Sequence, residues 1–195
     1  MLTVIRQSSF IAAPWKNGGG VTHEVIRVPQ NGDSFRWRVS VANIDASGPF
    51  SDFAGYNRRM VLLRGRGLSL KFGNAERRSL QSIGDLAEFD GGMATYCELL
   101  NGPCVDLNLM VLKSVTANAA VEHLSGVKSL HATQGESALI FSIAAELSVT
   151  SDAGQSTRLD PWDLAVLTDD RARVERFPSD DISTPNAVFF ATITD

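Results

Sequence analysis

Hydrophobic and polar residues alternate along much of this chain with a period of two, the spacing that sends neighbouring side chains to opposite faces of an extended strand. From Ser34 to Asn43, Phe35, Trp37, Val39 and Val41 fall on one side and Arg36, Arg38, Ser40 and Ala42 on the other. This predicts a strand with one polar face. Short apolar or alternating runs recur at Met60–Leu63, Leu68–Phe72, Val105–Leu112, Ser137–Ile143, Leu147–Thr150, Leu164–Leu167 and Ala187–Ile193. Between them stand turn clusters, among them Asn31-Gly32-Asp33, Gly73-Asn74, Asn101-Gly102-Pro103 and Asp152-Ala153-Gly154. Short strands punctuated in this way predict an all-β sandwich or barrel. Helix is scarce: Ala117–Leu124 is the best candidate, and Val121 with nearby Thr and Ser weakens it.

Two stretches echo one another. Residues 61–89 and 140–167 align so that Leu68-Ser69-Leu70 matches Leu147-Ser148-Val149 and Asp85-Leu86-Ala87 matches Asp163-Leu164-Ala165. Each copy reads as an apolar strand, a second alternating strand, a polar turn and a strand opened by Gly-Asp or Trp-Asp. That order suits the jelly-roll hairpins of cupin barrels. The expected architecture is therefore two-lobed, cupin-like and bicupin, with approximate lobes of 1–110 and 111–195 and room for strands exchanged between them. Chance likeness of two hairpins is the competing explanation.

Composition narrows the class. Hydrophobic residues make up 44% and charged residues 21% of 195, the balance of an ordinary globular protein. No apolar stretch reaches the ~18 residues of a membrane span, and Met1–Phe10 lacks the charged start and apolar core of a secretion signal, so the expected location is the cytoplasm without membrane attachment. A net charge of −4 argues against a general nucleic-acid binder. The charge is uneven, with 12 basic and 9 acidic residues in 1–98 against 6 and 13 in 99–195. A basic first half suits either surface solubility or an anionic small molecule. Cys97 and Cys104 have neither redox-motif nor zinc-site spacing and read as reduced core residues.

Cupin enzymes commonly hold a metal through a His-x-His pair with Glu and a further His. This chain has only His23, His123 and His131, none so paired. Where a first metal motif would fall, 48–67 offers Ser51, Asp52, Asn57, Arg58 and Arg59 instead. No metal or other cofactor is expected, with a hard-metal site at Glu24, Asp106 and Asn108 as the minor alternative. The run Pro14-Trp15-Lys16-Asn17-Gly18-Gly19-Gly20-Val21-Thr22-His23-Glu24 lacks the Gly-Lys-Ser/Thr ending of a nucleotide loop. Trp15 offers a flat wall, Lys16 a charge and Asn17 both donor and acceptor. Arg38 and Ser40 share one strand face, and Asp106 and Asn108 another. If both faces line one interior, these groups converge on a carboxylate-sized ligand. The competing expectation is an internal Arg38 to Asp106 ion pair. Glu24, Glu98 and Asp106 are candidate acids or bases and Lys16 a candidate nucleophile, without a pattern that pairs them.

Taken together, Trp15-Lys16-Asn17-Gly18-Gly19-Gly20 with Thr22 and Glu24, Trp37-Arg38-x-Ser40-x-Ala42, Gly48-Pro49-Phe50-Ser51-x-Phe53-x-Gly55, Arg59, Phe89-Asp90-Gly91 and Gly102-Pro103-x-x-Asp106-x-Asn108-x-Met110 resemble the HutD/Ves family. The motifs span residues 14–110; His23 departs from the Arg expected there. The resemblance implies a two-barrel cupin-like fold and a non-enzymatic regulatory role in histidine utilisation, with a carboxylate such as urocanate or formylglutamate as ligand. The ligand-facing set becomes Trp15, Lys16, Asn17, Glu24, Arg38, Ser40, Phe50, Arg59, Asp106 and Asn108. A homodimer is compatible with this reading. The alternative is a metal-independent cupin enzyme, an isomerase or lyase acting on a small carboxylic acid.

Overall fold

The computed structural model describes residues 1–15, 18–31, 34–73, 76–177 and 186–194. Strands dominate throughout, with a single 3-10 turn at Gln7–Ser9 among the described elements. In chain order they are β1 (Leu2–Ile5), β2 (Ile11–Pro14), β3 (Gly20–Val28), β4 (Trp37–Ile44), β5 (Gly48–Pro49), β6 (Tyr56–Arg64), β7 (Leu68–Phe72), β8 (Arg77–Leu80), β9 (Leu86–Asp90), β10 (Thr95–Leu99), β11 (Cys104–Leu112), β12 (Thr116–His123), β13 (Lys128–Ser142), β14 (Leu147–Ser151), β15 (Ser156–Leu159), β16 (Leu164–Arg176) and β17 (Ala187–Thr194). The all-β expectation holds. Ala117–Leu124 is a correction: this stretch forms β12 and its end, paired antiparallel with β17 over its whole length. Cross-strand partners outweigh the helix preference of its alanines.

The chain divides into two compact units, Phe10–Ser114 and a second made of Met1–Ser9 with Val115–Asp195. The N-terminal strand thus belongs with the later part of the chain, β1 pairing β16 from Leu2↔Leu167 to Ile5↔Leu164. Within the 10–114 unit, one sheet runs β2-β3-β4-β11-β6-β9 and another β5-β10-β7-β8, each with two open ends in its pairing order. Ile44, Met60 and Leu62 from the first sheet pack with Leu68, Leu70, Phe72, Leu80 and Cys97 from the second. Cys97 and Cys104 are both free and buried, and burial pushes the Cys97 thiol up to about 12. Because β10 pairs β7 and β5, the Asn101-Gly102 turn links two sheets and is not the tip of a β10–β11 hairpin.

In the other unit, β12-β17-β13-β16-β14-β15 form one sheet path, with β1 joined to β16. Its packed interior includes Ala138, Ile140, Leu147, Val149, Leu159, Ala165, Leu167 and Phe190.

The sequence echo has a structural counterpart in main-chain bonding. Leu62 N–H donates to Asp85 O at 3.0 Å and Gly84 N–H to Leu62 O at 2.8 Å; Ser142 N–H donates to Asp163 O at 3.2 Å and Trp162 N–H to Ser142 O at 2.6 Å. In both copies the aspartate carboxylate accepts a main-chain N–H three residues back, Ser82 to Asp85 and Asp160 to Asp163. Gly84 and Trp162 both take positive φ, 94° and 74°. Glycine adopts this conformation without strain, whereas a Trp there is held by its surroundings. The repeated turn explains why Asp is kept in both copies while its neighbour varies.

The glycine tract has a steric role. Trp15 N–H donates to Gly20 O at 2.9 Å, closing the turn between β2 and β3. A Cβ on Gly20 would lie 2.1 Å from the main-chain oxygen of Asn43. Gly20→Ala is therefore expected to destabilise the protein by about 1–3 kcal/mol through forced displacement of β3 from β4. Urea denaturation checks this; an unchanged midpoint would show that the strands yield freely.

Candidate functional site

The inner face of the β2-β3-β4-β11-β6-β9 sheet is laid out by strand register. Thr22 stands opposite Ala42, which stands opposite Asp106; Glu24 opposite Ser40 opposite Asn108; Arg38 opposite Met110 opposite Arg58. Register shifts interrupt β3 between Glu24 and Ile26 and the β11–β6 pairing between Val105 and Asp106. Bulges of this kind re-aim side chains beside a site. These three rows form the floor of a cavity of about 570 Å³, with Trp15, Pro49, Phe50, Ser51 and Phe53 among its walls. Further along the same face, Met60, Leu62 and Ile44 replace polar residues and close the interior with an apolar core.

Polar groups at the base are almost fully buried, Asp106 being 1% exposed and Arg58 and Asn108 5% each. They form a relay. Arg58 Nε donates to Asn108 Oδ1 at 3.2 Å, and Asn108 Nδ2 donates to Asp106 Oδ2 at 2.7 Å. The Asn108 amide is oriented by having a donor on one side and an acceptor on the other. Burial pushes the Asp106 carboxyl up to about 7, opposed by the Arg58 charge and the Asn108 hydrogen bond. Burial likewise lowers Arg58 to about 10, so it remains cationic near neutrality. Its guanidinium lies 5.0 Å from the Phe50 and Phe89 ring centroids and 5.8 Å from that of Phe53. Aromatic faces supply part of the stabilisation that water would give.

Arg38 is held differently. Its guanidinium sits 5.0 Å from the Phe35 ring and 5.3 Å from the Phe53 ring, and Nη2 approaches Met110 Sδ at 3.4 Å. Its Nε is buried without a hydrogen-bond partner among the described residues. Desolvation lowers its pKa, with Glu24 opposing and Arg27 adding to the fall. The expected Arg38 to Asp106 ion pair is not among the ion pairs of the described residues; Asp106 takes its hydrogen bond from Asn108 instead. Trp15 donates from Nε1 to Thr22 Oγ1 at 2.7 Å and meets Phe50 edge-on at 6.3 Å.

Of the residues singled out from the sequence, Trp15, Glu24, Arg38, Ser40, Phe50, Asp106 and Asn108 line this one cavity. Lys16 and Asn17 lie outside the described residues. Arg59 does not line it: it stands beside Leu109 on the other face of β6 and pairs with Glu88 at 3.3 Å. The cavity's second guanidinium is its neighbour, Arg58. Period-two spacing signals this, since Arg58 shares a face with Met60 and Leu62, but a strand begun at Met60 misses it. Arg59→Ala is expected to leave ligand affinity unchanged, within about 0.5 kcal/mol, because its ion pair is with the half-exposed Glu88. A calorimetric titration showing loss of binding would return Arg59 to the site. By the same alternation, His23 lies on the opposite face of β3 from Thr22 and Glu24. Among the described residues, no group of three or more His, Cys, Asp or Glu is placed to hold a metal ion.

Comparison with known proteins places this site in a family. The HutD profile matches residues 7–181. The chain belongs to the HutD family. An uncharacterized 21.2 kDa protein in the hutC 3′ region of Pseudomonas putida is 33% identical over 163 residues, covering 83% of this chain and 84% of that protein. Protein Ves of Citrobacter koseri is 35% identical over 97 residues, about half of each chain. The structure of HutD from Pseudomonas fluorescens, determined in a formate condition, superposes with a TM-score of 0.80 at 30% identity, covering 100% of this chain and 98% of that one. Oxalate decarboxylase of Bacillus subtilis, at 9% identity and a TM-score of 0.67 over 98% of this chain and 77% of its own, shares the fold alone and places this HutD-family chain among cupin-like proteins.

Proposed function

We propose that this HutD-family protein binds a small carboxylate-bearing metabolite in the Arg38 cavity without turning it over, and thereby regulates histidine utilisation. The observation that carries the reading is the Arg38 guanidinium, presented to a cavity with a buried Nε that no described residue engages. A carboxylate arriving there gains a charge-assisted hydrogen bond in a partly desolvated setting. The relationship to the hutC-region protein and to HutD supports the pathway. In this reading the two units are cupin-like lobes of a bicupin, the earlier one carrying the pocket and the later one filled with apolar side chains.

Asp106 favours a second reading. A buried carboxyl held near pH 7 can give and take a proton at neutrality, as a metal-independent isomerase or lyase requires. Titrating the full chain with urocanate and with N-formylglutamate, while following both heat and ligand chemistry by NMR, separates the two. Saturable heat with unaltered ligand is the expected result. Product formation that disappears in Asp106→Asn would replace the binding protein with an enzyme.

A further inference from the structure

Hydrogen-bonding capacity is spread unevenly over the cavity floor. Arg58 Nε and both ends of the Asn108 amide are committed to the relay. Arg38 Nε is an unused donor. On the neighbouring strand Glu24 is an unused acceptor: it lines the cavity, and no hydrogen bond or ion pair from the described residues reaches its carboxylate. Glu24 pairs with Ser40, two residues along β4 from Arg38. Strand geometry puts the Cα atoms of Glu24 and Arg38 roughly 8 Å apart on one face. A small molecule can bridge them.

We infer that the ligand has two chemically distinct ends, a carboxylate received by Arg38 and a nitrogen-bound hydrogen, of an amide, azole or ammonium, donated to Glu24. This rests on the carboxylate-binding reading and deepens it. A ligand whose second end is a bare hydrocarbon would cover Glu24 and leave a carboxylate desolvated without a donor. A ligand whose second end is another anion alone would meet Glu24 and Asp106, the acidic groups of the floor. Arg58 relieves that repulsion poorly, because it is turned into the relay and packed among Phe50, Phe53 and Phe89. An N–H donor satisfies Glu24 and leaves the relay intact. Sites built to pair a polar group reject analogues lacking it more strongly than apolar pockets reject a size change.

Matched probes test this on the full chain by calorimetry. Urocanate and cinnamate share an acrylate and a flat ring, and only urocanate has a ring N–H; N-formylglutamate and glutarate differ by the formamide. In each pair the N–H member is expected to bind at least about tenfold more tightly. Glu24→Leu should reduce that advantage to less than about threefold while leaving the affinity for cinnamate equal or higher. Glu24→Gln, which keeps size and one acceptor, should give an intermediate preference, and it serves if the leucine variant fails to fold. Equal affinities within both pairs, or a preference that survives in Glu24→Gln undiminished, overturns the two-ended ligand while the carboxylate reading stands. Failure of all four probes to bind overturns both.

Discussion

Replacing Asp106 by Asn is expected to stabilise the protein at pH 8 by up to about 4 kcal/mol and to flatten its stability between about pH 4 and pH 7. The sign follows from the direction of the shift. Burial holds the Asp106 carboxyl near 7, above the ordinary 3.8. As pH rises through that interval the unfolded chain releases this proton before the folded one does, so the side chain's favourable contribution, complete below about pH 4, is lost by about pH 7. At about 1.4 kcal/mol per pH unit, that interval corresponds to about 4 kcal/mol. Asn removes the charge, keeps an oxygen for the Asn108 amide and sets the upper bound of the gain, since its own N–H groups then need acceptors in the cavity. Urea unfolding of both proteins at pH 5 and pH 8 checks the difference. Parallel stability curves would mean that Asp106 is already ionised at pH 5 and that Arg58 and Asn108 compensate its burial fully.

Arg38→Ala is expected to weaken carboxylate binding by about 1.5–3 kcal/mol, roughly 10- to 150-fold, with little change in stability. The two parts of this expectation have one cause. Arg38 Nε has no hydrogen-bond partner among the described residues, so truncation orphans no partner at that atom and leaves the Arg58, Asn108 and Asp106 relay in place. Arg58→Ala makes the contrast, because it strips Asn108 Oδ1 of its donor and Asp106 of its nearby cation. That variant should lose stability first. Paired thermal melts and titrations decide the matter: a folded Arg38→Ala protein with full affinity would remove Arg38 from the binding site.

Much of the site was legible because strands encode direction. Placing Arg38 and Ser40 on one face and Asp106 and Asn108 on another needed only a period of two, and each pair lines the cavity as that period requires. Where the strand's extent was misjudged, the face was lost with it, and Arg58 was passed over for Arg59. The internal echo was legible for a different reason: a turn that demands an acceptor for a main-chain N–H keeps Asp85 and Asp163 in both copies. Ala117–Leu124 was misread because its fate is set by β17, far along the chain.

The Pro14–Glu24 run shows where local information stops. Its composition excluded a nucleotide loop, but nothing in it announced that Gly20 is glycine because Asn43 O occupies the place of its Cβ, or that Trp15 would face Arg38 across a cavity. Sequence by itself determined the strands, their polar faces and the absence of a His-x-His metal pair, since these depend on neighbours a few residues away. Tertiary structure alone decided which faces meet, that Asp106 answers to Asn108 and not to Arg38, and which of two adjacent arginines turns inward. Those outcomes depend on register between strands distant in the chain, where a shift of one residue would send every side chain to the opposite face.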